Sequence, residues 1–375
     1  MARDRGVLSI DEVMPILGFM EGDSIDDEAH READRDGKGL TMAAEDYLDS
    51  MFVMDGHCDT VLDLVGLSLS TDDRSPRDFF ARGEGGHVDL PRLVEGGVGC
   101  QIFALFTDDE YVPMAREHTW RLLETMEGVF EGNRGIVLAR NKAEILAARA
   151  EGRVAGMLSI EGGEAIGEEL GELGAFYDRG LRLMGLTWNR RNAIGRGAGT
   201  GTPADGEGGL TAFGVEVLRE MERLGMVVDA SHLSDEALDQ VLDLAEGPVV
   251  ASHSNSRALV PHRRNLSDAQ AERIAATGGL VGITFAGLFV DPDPARVTKE
   301  RILEHLEHFL SLLGPDHVGI GSDFDGFTER FGLGFSSPNA YRWIAGELLR
   351  RGHSRPDVEK VMGGNWLRVI GEVCG

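Results

Sequence analysis

Residues 51–61 read MFVMDGHCDTV: four apolar side chains give way to Asp55 and Gly56, and then to His57 and Asp59, two positions apart. The apolar run suits a strand buried on both faces, and it stops on polar, metal-capable groups. In an extended chain residues two apart point the same way, so His57 and Asp59 can grip one ion together while Cys58 faces away.

The same grammar returns along the chain. Runs at VGCQIFALF (98–106), VAGMLSIE (154–161), LRLMGLT (181–187), MVVDAS (226–231), PVVASH (248–253), GLVGITF (279–285) and HVGIGSD (317–323) bring the candidate strands to eight. Between them lie amphipathic stretches such as MAREHTWRLLETMEGVF, FGVEVLREMERLG, SDEALDQVLDLA and ERILEHLEHFLSLLG, several opening on Ser-Asp and closing on Gly, as helices do. Strand then helix, eight times over, predicts an α/β fold, a parallel (β/α)8 TIM-like barrel over residues 51–375 with no linker dividing it.

The 375 residues carry 64 acidic against 37 basic side chains, a net charge of −27. Such a surface repels nucleic-acid backbones and anionic membranes, so neither is expected as a partner. The apolar content is 42% and no apolar run approaches the roughly 18 residues of a membrane span. Cys58, Cys100 and Cys374 are widely spaced and form no C-x-x-C, which excludes a disulfide framework or zinc finger and fits a reducing cytoplasm. An apolar patch at 13–20 is flanked by acidic residues without a small-x-small cleavage site, so no signal peptide is expected. Residues 1–50 read as an acidic, solvated extension packed on or near the barrel. Within it Glu32, Asp34, Asp36 and Gly37 imitate the start of a calcium loop, but Ala43 stands where such a loop needs its bidentate Glu.

Barrel enzymes assemble their sites from the C-terminal ends of the strands. Here the first strand ends in His57 and Asp59, the third in Glu161, the fifth runs into His232, the sixth ends in His253 and the eighth in Asp323. Three imidazoles and two or three carboxylates, with no thiolate, suit zinc or a similar divalent metal. Six groups exceed what one tetrahedral ion needs, which points to a pair of ions bridged by a carboxylate, about 3.5–4 Å apart. A lone His at a strand end is ordinarily structural; the specificity lies in the set. His305 and His308, at i, i+3 beside Glu304 and Glu307, read as a solvated helix face, and His30, His87, His118, His262, His317 and His353 have no comparable company. The stretch GRGAGTGTPADGEGG (195–209) lacks the Lys-Ser/Thr of a P-loop and reads as a flexible active-site loop.

With these residues in hand the sequence resembles the membrane (renal) dipeptidase family of zinc peptidases within the amidohydrolase superfamily. DGHCDTV, IEGGEAIG, GLTWNRRN, VVDASHLS, ASHSNSRAL, HRRNLSD, GIGSDFDG and GGNWLRV match in order across residues 51–375. The resemblance implies a dizinc dipeptidase that cleaves the amide bond of dipeptides with a metal-bridging hydroxide, and a homodimer. His57 and Asp59 would bind one zinc, Glu161 would bridge both, and His232 and His253 would bind the second. Asp323 would carry the proton, and Arg264 would grip the terminal carboxylate of the substrate with its planar fork. Trp188 and Asn189 of GLTWNRRN fall at the substrate. Renal members carry a His where this chain has Trp188, an N–H donor that cannot bear a positive charge, so the metal would supply more of the oxyanion stabilisation. The alternative reading is a related metal-dependent amidohydrolase or lactonase acting on another small carboxylate, such as an N-acyl amino acid. A non-catalytic binding protein on the same barrel is opposed by the complete ligand set.

Overall fold

Each of the eight expected strands forms in the computed structural model, which describes residues 47–132, 135–199 and 208–375. The strands are β1 (Val53–Cys58), β2 (Val98–Phe106), β3 (Ile136–Leu138), β4 (Val154–Glu161), β5 (Leu181–Gly185), β6 (Val227–Asp229), β7 (Val249–Val250), β8 (Val281–Ile283) and β9 (Val318–Ile320). Residues 1–46 of the acidic extension, with its calcium-loop-like stretch, lie outside the described residues, as do residues 200–207 of the glycine-rich loop. All the pairings between these strands are parallel, in the order β7-β6-β5-β4-β2-β1-β9-β8. A bridge from Ala251, just past β7, to Val281 of β8 draws the two ends together into a nearly closed barrel. The strand β3 is additional and pairs only with β4, off this path; three residues are too few for periodicity to register.

Local chemistry explains the elements. Every residue of β1 and of β4 is buried, as parallel strands covered by helices on one side and barrel core on the other must be. The Ser-Asp signals are helix N-caps: Ser234 accepts the Ala237 N–H, and Ser267 forms a reciprocal capping box with Gln270. Gly56 leaves room for the indole of Trp366, which packs directly on β1 and donates from Nε1 to the Ile320 carbonyl at 2.8 Å. Among the described residues no helix is long and apolar enough to cross a membrane.

The later strands are shorter than their apolar runs because the chain leaves the ladder early at the rim. His232, Asp323 and Asp325 adopt left-handed backbone with φ of 70°, 63° and 66°, a conformation that costs non-glycine residues of order 1–3 kcal/mol and persists where the surroundings enforce it. Side-chain bonds then replace the ladder. Asp55 accepts from the Ser322 N–H at 2.8 Å, its hydroxyl at 2.6 Å and the Tyr341 hydroxyl at 2.7 Å, and Asp229 accepts from the N–H groups of Ser231 and Ser252 at 2.9 Å each. One expectation is corrected. His305 is not on a solvated face: it shares the buried side of Lys299–Leu313 with Ile302, Leu306 and Phe309. Its Nδ1 accepts the Ser256 N–H at 3.1 Å and its Nε2 donates to the Val290 carbonyl at 3.0 Å, so the buried imidazole is neutral and fully bonded. His308 does lie outward, with Nε2 2.8 Å from an Asp268 carboxylate oxygen.

Candidate metal centre and active site

The rim of the barrel brings all six sequence-derived groups together. His57 lies in β1 and Asp59 just beyond it, Glu161 closes β4, and His232, His253 and Asp323 each stand three residues past the ends of β6, β7 and β9. Each is at most 8% exposed. His57 Nε2 lies 3.4 Å from Glu161 Oε2, 3.5 Å from Asp59 Oδ2 and 4.0 Å from Asp323 Oδ1. The other oxygen of the same glutamate, Oε1, lies 2.8 Å from His232 Nε2 and 3.7 Å from His253 Nε2. Glu161 therefore presents one oxygen to each side of the cluster. Gly326 of DFDG is required here, since a side chain at that position would run into the Asp59 and Asp323 carboxylates.

The hydrogen bonds behind the imidazoles test whether this donor set suits a metal. His232 Nδ1 sits 2.8 Å from Asn189 Oδ1, an acceptor, so Nδ1 carries the proton. His253 Nδ1 sits 2.7 Å from Ser252 Oγ, whose own hydrogen is committed to Asp229 Oδ2, so this Nδ1 is the donor as well. Both Nε2 atoms are then bare lone pairs, 2.8 Å apart and facing each other beside the Glu161 carboxylate. Three electron-pair donors turned on one point with no proton between them are repulsive unless a cation lies there. His57 Nδ1 and Nε2 and Asp59 Oδ1 are likewise buried without a hydrogen-bond partner. The residues fit divalent metal.

Protonation follows the same logic. Burial holds His232 down to about 3 and His253 well below its ordinary range, with the Arg264 charge acting in the same sense on both. Burial also opposes charge on His57, but the Glu161 and Asp59 carboxylates outweigh it and hold that imidazole well above its usual value. The Asp59 side of the cluster draws positive charge to itself. Burial pushes Asp323 up to about 6, against the pull of His57.

A cavity of about 440 Å³ opens over these groups, with Asp59, Glu161, His232 and Asp323 at its base and Phe106, Trp188, Phe289, Phe327 and Phe331 among its walls. Trp188 packs on Phe106 at 5.3 Å between ring centroids and stacks on His232 at 5.9 Å. Asn189 lines the cavity, yet its carbonyl is taken by His232. Arg264 is buried and does not line the cavity: its guanidinium lies over Phe289 at 5.2 Å and donates to the His253 carbonyl at 3.1 Å and to Ser254 Oγ at 3.4 Å. Its Nε has no partner, and burial lowers it to about 10 although Asp323, Glu161 and Asp229 pull the other way.

Sequence reasoning missed the residues that hold the ligands. Asp229, Ser252 and Asp55 are buried behind the cluster, and Asp325 ties Thr60, Arg77 and the backbone N–H groups of His87 and Val88 to the rim. A signal was present: His232, His253 and Asp323 each follow a serine.

A parallel barrel with imidazoles and carboxylates gathered at its strand ends defines a metal-dependent hydrolase. Residues 42–374 match the membrane dipeptidase family (Peptidase family M19), and the chain belongs to that family of metallodipeptidases, whose substrates are small peptides. Dipeptidase tcpJ of Claviceps purpurea is 30% identical over 346 residues, covering 89% of this chain and 78% of the relative. The crystal structure of dipeptidase AC, an M19 metallopeptidase, superposes with a TM-score of 0.77 at 32% identity, covering 87% of this chain and 99% of that one. A metallopeptidase from Rhodobacter sphaeroides, liganded with a phosphinate mimic of the dipeptide L-Ala-D-Ala, gives a TM-score of 0.77 at 30% identity over 86% of this chain and 99% of that one.

Proposed function

We propose that this metallodipeptidase works with two divalent ions, zinc by the nitrogen and oxygen donor set, with Glu161 shared between them. His57 and Asp59 would hold one ion; His232 and His253 would hold the other. The observation that carries this reading is the pair of bare Nε2 atoms facing each other at 2.8 Å on one side of Glu161, with the orphaned His57 and Asp59 atoms on its other side. Metal bound here supplies a water deprotonated near neutral pH and a Lewis acid that polarises the scissile carbonyl.

The chain's own residues do the rest. Asp323 faces the cluster through Oδ1, while Oδ2 is held by the Thr284 hydroxyl at 3.3 Å. A carboxylate so placed is positioned to take the proton of the attacking water and return it to the leaving amine nitrogen. Trp188 and Phe106 wall the cavity with packed aromatic rings, Trp188 stacking on His232. Arg264 lies outside the cavity lining, its guanidinium over the lining residue Phe289, and has no carboxylate in ion-pair contact among the described residues; in this reading the terminal carboxylate of a dipeptide would be the charge that completes it.

Comparing a dipeptide with its C-terminal amide tests that role, using substrates with both L- and D-configured second residues because the Rhodobacter sphaeroides relative is liganded with an L-Ala-D-Ala mimic. The wild type should prefer the acid strongly. Arg264→Ala should lose about ten- to a hundredfold in kcat/KM for the acid and treat acid and amide nearly alike, because a charge-assisted bond contributes about 1.5–3 kcal/mol. Lysine should rescue little, since a point charge does not reproduce the fork. Equal cleavage of acid and amide by the wild type would remove Arg264 from substrate recognition.

A further inference from the structure

His232 and His253 face the same point of the cluster but are backed by different chemistry. Behind His232 stands a neutral amide, Asn189. Behind His253 stands a relay that ends on a charge: His253 Nδ1 donates to Ser252 Oγ at 2.7 Å, and the Ser252 hydroxyl donates to Asp229 Oδ2 at 2.5 Å. Asp229 is 3% exposed and forms no ion pair among the described residues. Its other oxygen, Oδ1, accepts the N–H groups of Ser231 and Ser252 at 2.9 Å each. All the hydrogens around Asp229 therefore point at it.

The fold alone does not require a carboxylate at this place. An asparagine would accept the same two N–H groups through its single carbonyl oxygen, without the cost of burying an unpaired charge. What asparagine cannot do is accept the Ser252 hydroxyl at the second position, where it carries an NH₂ donor. The feature that needs an acid is the direction of the hydrogen bond from Ser252, and that direction decides which nitrogen of His253 carries the proton.

We propose that Asp229 is a positioning residue that acts through Ser252 to fix the Nδ1–H tautomer of His253, keeping His253 Nε2 free to bind metal. The proposal rests on the reading that His232 and His253 hold the second ion. It makes the isosteric change Asp229→Asn more harmful than its size suggests. The amide NH₂ would donate to Ser252 Oγ, the hydroxyl hydrogen would swing toward His253 Nδ1, and the imidazole proton would be driven onto Nε2, where it blocks the metal.

The test is chelator competition for zinc on the full chain, together with ¹⁵N-histidine NMR of the metal-free protein. In Asp229→Asn one of two zinc ions should bind about 10–100-fold more weakly while the other is unchanged, as for loss of an outer-shell partner. His253 should change from the Nδ1–H to the Nε2–H tautomer. Ser252→Ala should weaken the same ion, and Ser252→Thr, which keeps a hydroxyl, should restore it. A wild type that binds two ions, with Asp229→Asn leaving both affinities and the His253 tautomer unchanged, overturns the proposal alone. Should Asp229→Asn fail to fold, the serine pair decides: zinc affinity in Ser252→Ala equal to wild type overturns it. A wild type that binds a single ion, or a His253→Ala variant that keeps both ions, overturns the two-ion reading and this proposal with it.

Discussion

Glu161→Ala is expected to lower kcat/KM for a dipeptide by about 10⁴-fold or more, a barrier increase of at least about 5.4 kcal/mol, and to cost more bound metal than any single histidine change. The reason is its placement at the end of β4, with Oε2 3.4 Å from His57 Nε2 and Oε1 2.8 Å from His232 Nε2. Removing one histidine leaves its ion with other donors. Removing Glu161 takes an anionic donor from both sides at once and leaves only the neutral Nε2 atoms of His232 and His253 on one of them. Metal analysis beside the activity assay checks this. A variant that loses one ion and keeps substantial activity would show that Glu161 serves a single side.

Asp323→Asn is expected to lower kcat by roughly 10²–10⁴, about 3–5 kcal/mol, while metal content and thermal stability stay near wild type. The substitution is nearly isosteric, and asparagine tolerates the left-handed backbone that position 323 adopts, with φ of 63°. Thr284 can still donate to the remaining carbonyl oxygen. What disappears is a carboxyl able to accept and release a proton while facing the cluster. If this variant instead loses metal, and excess zinc restores its rate, Asp323 is a ligand and not the proton carrier.

Much of the barrel was legible because parallel strands buried on both faces must be apolar, and because the polar residues that end them stand out. His57, Asp59, Glu161, His232, His253 and Asp323 all announce themselves in this way, and the fold brings them to one rim. Other features were not legible, each for a physical reason. Ile136–Leu138 is too short to show a period, and only its pairing with β4 makes it a strand. His305 sits beside two glutamates in sequence, yet a helix turns each residue about 100° from the last, so its neighbours' charges do not report its own face. Asp229 and Ser252 look like ordinary rim residues until β6 and β7 lie side by side, because a bond between residues 23 apart depends on strand register. Arg264 was legible as a candidate, but its place behind Phe289 depends on tertiary packing. The left-handed backbone at His232 and Asp323 is invisible in the sequence and concentrates at the site, where enforced strain is commonest.

Anomalous diffraction at the zinc edge from metal-loaded crystals tests the shared-carboxylate centre most directly. Two peaks are expected about 3.5–4 Å apart. One should lie beside His57 and Asp59 and the other between the Nε2 atoms of His232 and His253, with one Glu161 oxygen on each. A single peak at full occupancy, or two peaks of which only one touches Glu161, would contradict the account.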